Sequence, residues 1–153
     1  MACLELPVND PVTPRVFVVD DEWIIAETLA AILCKSGFQA VAFHNPGQAL
    51  VRALEDPPDI LLADVIMPSM TGVELAIALR RAGHACRIVL FSGQAGAHDR
   101  LLEARRLGYP FELLEKPVHP LQLLLRLRNS GPQAAQAECD SALELDAGRL
   151  PAA

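Results

Sequence analysis

Five short apolar runs, each followed by a segment of helical spacing, constrain this chain more than any other feature. The runs are Arg15–Val19, Gln39–Phe43, Ile60–Ala63, Arg87–Phe91 and Phe111–Leu114. The first lacks the apolar and polar alternation of a half-exposed strand, which suits a strand covered on both faces. After it, Asp20-Asp21-Glu22 opens a helix, where acids suit the helix dipole. Ile25, Leu29, Ile32 and Leu33 carry that helix to Ser36, and Gly37 stops it. Asn45 and Pro46 supply a cap and first turn for a second helix, with a stripe of Ala49, Leu50, Ala53 and Leu54. A third helix runs from Gly72 towards Gly83 on Val73, Ala76 and Leu79. Gln94–Asp99 reads as a small-residue loop before a fourth helix, Leu101–Leu107. Pro120 starts the last helix, on Leu121, Leu124, Leu125 and Leu127.

Strands alternating with helices over short connections predict an α/β fold, a five-stranded parallel sheet flanked by five helices. Right-handed crossovers bring every strand C-terminus to one edge. Ligands bind at that edge in open α/β sheets. Asp20-Asp21 end the first strand, Asp64 the third, Ser92 the fourth, and Lys116 follows the fifth. Each alone is an ordinary cap or solvated charge. Together they put two signs of charge on one face.

Composition removes several alternatives. Net charge is -6, from 19 acids and 13 bases, which argues against a general nucleic-acid surface. The four cysteines, Cys3, Cys34, Cys86 and Cys139, form no CxxC pair and no zinc pattern. They read as free thiols, and a cytoplasmic location is the expectation. No basic, apolar leader marks a signal peptide, and no run of 18 apolar residues marks a membrane span. His44, His84, His98 and His119 are dispersed, and Gly93-Gln94-Ala95-Gly96 matches no nucleotide-binding pattern. Pro7, Pro11 and Pro14 mark a loose leader, and the composition changes again after Ser130. The expected division is a domain over 12–130 and a flexible or partly helical acidic tail over 131–153.

Three carboxylates brought together repel unless a cation neutralises them. Hard oxygen ligands without histidine or cysteine favour Mg2+, which keeps open positions for phosphate oxygens. Lys116 would add a mobile positive charge and Ser92 a hydroxyl donor. Such a pocket suits a phosphoryl group, and a carboxylate can itself attack phosphorus to give an acyl phosphate.

Four motifs then stand in order: VVDDE at Val18–Glu22, DILLADVIMPSMTG at Asp59–Gly72, VLFSG at Val89–Gly93 and LLEKP at Leu113–Pro117. With them the chain resembles the receiver domain of two-component response regulators, from about Val16 to Arg128. The resemblance implies a flavodoxin-like, doubly wound sheet of order 2-1-3-4-5. It implies that Asp64 is the phosphoacceptor, served by a histidine kinase or a histidine phosphotransfer protein. Asp21 becomes a direct magnesium ligand, Asp20 one acting through water, and the Ile66 carbonyl the third protein ligand. Ser92 and Lys116 become the groups that close on the phosphoryl oxygens. Gly93, Gln94 and Leu113 fall in the switch region.

The chain departs from the family at Leu113, where a tyrosine or phenylalanine usually stands. Gly108–Lys116 also reads one residue longer than the common form, with Tyr109 and Phe111 inside it. The expectation is a stand-alone phosphoacceptor signalling protein, not an enzyme, which acts on an unknown downstream protein without binding nucleic acid or entering a membrane. The alternative is an adaptor or phosphate sink with a degenerate switch. A phosphatase acting on external substrates is disfavoured, because Ile66 stands where a second aspartate would be needed.

Overall fold

The computed structural model describes residues 13–93 and 95–129. In chain order the elements are β1 (Arg15–Val19), α1 (Trp23–Lys35), β2 (Gln39–Phe43), α2 (Pro46–Glu55) and β3 (Ile60–Asp64). They continue with α3 (Gly72–Arg81), β4 (Arg87–Ser92), α4 (Ala97–Arg106), β5 (Glu112–Glu115) and α5 (Pro120–Asn129). All neighbouring strands pair in parallel, in the order β2-β1-β3-β4-β5. This is the doubly wound, flavodoxin-like order. The tail over 131–153, most of the proline-bearing leader and Gln94 lie outside the described residues.

Period-two burial explains why the inner strands are apolar throughout. Phe17, Val19, Leu61, Ala63, Ile88 and Leu90 face one core, shared with residues of α2, α3 and α4. Val16, Val18, Ile60, Leu62, Val89 and Phe91 face the other, shared with α1 and α5. A strand buried on both sides has no polar face to show.

Local signals fix the helix ends. The Asn45 side chain accepts from the amides of Gly47 and Gln48 at 2.8 and 3.3 Å. Thr71 and Glu74 form a reciprocal capping box, with the Thr71 hydroxyl accepting from the Glu74 amide and the Thr71 amide donating to the Glu74 carboxylate. Gly37 closes α1 with φ +98°, a conformation that a residue with a Cβ adopts at a cost.

The helices differ from the expected stripes in four places. The acids Asp20–Glu22 precede α1 instead of opening it, and the Asp20 carboxylate accepts from the Glu22 amide at 2.9 Å. Leu54 is exposed, because it lies roughly 100° round the helix from Ala53. The fourth helix starts at Ala97, inside the expected loop, and its buried residues are the alanines Ala97 and Ala104. In α5 the fully buried leucine is Leu123, with Leu127 beneath it, while Leu121 and Leu125 lie on the far side. The fifth strand begins one residue later than expected, at Glu112.

The N-terminal edge of the sheet is tied by charge. The Arg87 guanidinium, 6% exposed, forks onto Glu112 at 3.0 and 3.1 Å and donates to the Leu127 carbonyl at 3.2 Å. One arginine thus joins β4, β5 and the end of α5. The Asp59 carboxylate accepts from the Arg15 amide at 2.8 Å, and its carbonyl accepts from the Arg87 amide at 2.9 Å. Among the described residues, no helix is long and apolar enough to cross a membrane.

Candidate functional site

The opposite, C-terminal edge carries the expected charges. β1 delivers Asp20 and Asp21, and β3 delivers Asp64 as its last residue. Because β1 and β3 are neighbours in register, with Val19 opposite Ala63, the residues just beyond them meet. Carboxylate oxygens of Asp20, Asp21 and Asp64 all lie within 4.8 Å of one another. Asp20 and Asp64 are buried and Asp21 is exposed, so the cluster is walled on one side and open on the other.

Lys116 reaches into the cluster from the loop after β5. Its ammonium donates to Asp20 Oδ2 at 3.1 Å and stands 3.5 Å from Asp64 Oδ2. The backbone holds it there, since the Lys116 amide donates to the Ser92 carbonyl at 3.0 Å. Gly93 leaves room for its stem, because a Cβ there would stand 3.3 Å from the Lys116 Cβ. The Lys116–Pro117 peptide bond is cis.

The loop after Asp64 is folded tightly back on it. The Gly72 amide donates to the Val65 carbonyl at 2.9 Å, and the Val65 amide donates to the Phe91 carbonyl at 3.0 Å. A Cβ on Gly72 would lie 2.2 Å from the Asp64 carbonyl oxygen. Glycine is required at this close approach.

Burial dominates the electrostatics of both inner carboxylates. It pushes Asp64 up to about 6; Lys116 and a hydrogen bond from the Ile66 backbone oppose the rise, and the Asp20 charge adds to it. Asp20 is raised as well, by burial, against the Glu22 amide and Lys116. Burial pulls Lys116 down, but its bond to Asp20 and the two carboxylate charges outweigh this and leave it raised. The ammonium therefore stays charged while the carboxylates share a net deficit of positive charge. A hard divalent cation fits that deficit and the all-oxygen donor set. A cluster able to coordinate such an ion is present.

The sequence-predicted residues do not all meet. Asp20, Asp21, Asp64 and Lys116 converge. Ser92 is buried at the end of β4, level with Glu115 of β5. Ile66 follows Asp64 and bonds to it through the backbone. Gly93 lies beside Lys116. Leu113 is set apart from the charges, level with Leu90 and half-buried against the core under α2, α3 and α4. Tyr109 and Phe111 pack against that same core and stack, with ring centroids 6.3 Å apart and an interplanar angle of 13°. Gln94 lies outside the described residues. Sequence reasoning missed two participants. Phe91, next to Ser92, has its ring centroid 4.9 Å from the Lys116 ammonium, and Gly72 admits the close turn on Asp64.

Residues 16–128 match the response regulator receiver domain family. The chain belongs to that family. The receiver is 31% identical over 139 residues to the transcriptional regulatory protein PrrA of Mycobacterium tuberculosis, covering 88% of this chain and 60% of PrrA. It is 30% identical over 119 residues to the DNA-binding response regulator MtrA of Mycolicibacterium smegmatis, covering 78% of this chain and 51% of MtrA. The receiver thus spans only about half to three-fifths of these relatives. In structure it is similar to the chemotaxis response regulator CheY4 of Vibrio cholerae, with a TM-score of 0.65, 24% identity, and coverage of 76% of this chain and 98% of that one. That likeness concerns the fold. The family is one of signalling receivers.

Proposed function

We propose that this receiver accepts a phosphoryl group on Asp64 and signals through protein contacts. The observation that carries the reading is the Lys116 ammonium standing 3.1 Å from Asp20 and 3.5 Å from Asp64, beside a third carboxylate, at the ligand edge of the sheet. The donor is the phosphohistidine of a histidine kinase or a histidine phosphotransfer protein. An Asp64 carboxylate oxygen attacks phosphorus, the P–N bond breaks, and the imidazole leaves with a proton from solvent. The product is an acyl phosphate on Asp64.

Asp20, Asp21, Asp64 and the Ile66 carbonyl would hold Mg2+, which screens the transferring oxygens. Lys116, already charged and aimed at Asp64, pairs with one phosphoryl oxygen, and the Ser92 hydroxyl donates to another. The unit that does this is taken as 12–130. The free thiols Cys34 and Cys86 go with a cytoplasmic location.

One observation favours a second reading, a phosphorylation-independent adaptor or phosphate sink. Leu113 offers no ring to turn when Ser92 moves, and it is already packed against the core. The same experiment separates the two. Incubation with phosphoramidate and Mg2+, followed by intact mass, should give a phosphoryl adduct that Asp64→Asn abolishes. No adduct on the wild-type chain would overturn the phosphoacceptor reading.

A further inference from the structure

Lys116 has a third contact that neither the metal nor the phosphoryl chemistry explains. Its ammonium lies 4.9 Å from the centroid of the Phe91 ring. A cation at that distance from a ring face is attracted by the negative face of the π-system. The ring cannot drift. Phe91 is 1% exposed, sits opposite Asp64 in the β3–β4 register, and packs in the core beneath α1 and α5. Its carbonyl accepts from the amide of Val65, the residue bonded to Asp64. The ring is therefore fixed to the same strand pair that fixes the phosphoacceptor.

We propose that Phe91 is a positioning residue for Lys116, its ring holding the ammonium over the Asp20–Asp64 pair before a phosphoryl group arrives. A lysine side chain has four rotatable bonds, and ordering it costs rotamer freedom. The two carboxylates attract the ammonium but fix only its distance. The ring supplies a floor from a third direction, and Gly93 leaves the stem space to lie across it. Once Asp64 carries phosphate, the ammonium needs only to shift its hydrogen bonds, because it already stands at the site. A purely apolar side chain of similar volume at position 91 would fill the core without holding the charge.

The rate arm of the test rests on the phosphoacceptor reading above; the spectroscopic arm does not. Phe91 is replaced in the full chain by mono-, di- and trifluorophenylalanine, which keep the ring shape while draining its face of negative charge, and by leucine. The chain has two lysines, so the ε-methylene protons of Lys116 are read by NMR with Lys35 as internal control. The rate of adduct formation from phosphoramidate and Mg2+ is followed by intact mass.

The wild-type Lys116 signals should be shifted upfield by the ring. That shift should shrink stepwise with fluorine number and vanish in Phe91→Leu, while Lys35 stays put. The phosphorylation rate should fall along the series by about three- to thirtyfold at its end, the range expected for a partly desolvated cation–π contact. Lys116 signals that stay constant across the series would overturn the contact. Moving signals with a constant rate would overturn the positioning role. A wild-type chain that takes no phosphoryl group would overturn the functional reading instead, and the signal series would still decide whether the ring holds the lysine.

Discussion

Gly72 and Asp64 are separated by a whole turn of chain, yet a Cβ on one would stand 2.2 Å from the carbonyl oxygen of the other. The loop between them cannot relax outward, because the Gly72 amide is bonded to Val65 and Thr71 is locked into the capping box of α3. Gly72→Ala should therefore displace the strand end that carries Asp64. The expected cost is about 1–3 kcal/mol of stability, with a larger proportional loss of phosphorylation rate. Chemical denaturation and the intact-mass assay measure both. An alanine variant with wild-type rate would show that the loop accommodates a methyl group without moving Asp64.

Asp64 should weaken the metal-free fold at neutral pH. Its carboxyl is raised from 3.8 to about 6, so the folded state prefers it protonated. This preference contributes stability below about pH 4 and loses it as pH rises through 6. In EDTA at pH 7.5, Asp64→Asn should be more stable than wild type by about 1–3 kcal/mol. The difference should shrink towards zero near pH 4. Equal stability of the two chains at pH 7.5 would remove the burial cost from Asp64.

Magnesium should relieve that cost. Trp23 is 61% exposed, two residues beyond Asp21, and can report a saturable divalent site by its fluorescence. Asp21→Asn should weaken binding strongly without unfolding the chain, because Asp21 is exposed. Affinity should fall below pH 6 by about tenfold per unit, since the ion must displace the Asp64 proton. Calorimetric titrations of wild type and Asp21→Asn at pH 5 and 8 measure both effects.

Glu112 should matter for stability although it is far from the charged edge. Glu112→Ala leaves the Arg87 guanidinium, 6% exposed, without its fork partner. The expected loss is about 2–4 kcal/mol, as for one-sided removal from a buried pair. Arg87→Met placed on top of it should restore part of that loss, because it removes the orphaned charge. Urea unfolding of the two single variants and the double variant gives the coupling directly.

The charged edge was legible because the strands of a parallel sheet all end on one side, so residues far apart in sequence had to converge there. Asp20, Asp64 and Lys116 needed only that rule. The helix faces were harder. In α4 the buried positions are Ala97 and Ala104, too small to stand out as an apolar stripe. In α5, leucines occupy half of the ten positions, so spacing could not separate Leu123 from Leu121 and Leu125. Register decided it, and register depends on where the last strand delivers the chain. The Phe91 contact was hidden for a different reason. A phenylalanine in a buried strand needs no explanation beyond packing, and only the path of the Lys116 stem reveals the ring as a neighbour of charge. At Leu113, sequence showed a missing ring and structure shows a residue already packed into a core.

The Arg87 fork gives the sheet a preferred direction of give. It cross-links β4, β5 and α5 at the end remote from the aspartates, and Asp59 does the same for β1, β3 and β4. Sliding one strand past another would break several of these bonds at once. Displacement started at the ionised end therefore has to be taken up as bending, with amplitude growing with distance from the riveted end. Just past the strand tips at the opposite edge lie Gly93, residues 95–96 and residues 117–119. A phosphoryl group arriving at the opposite edge would therefore act on the surface beside it, with the riveted end of the sheet as its frame of reference.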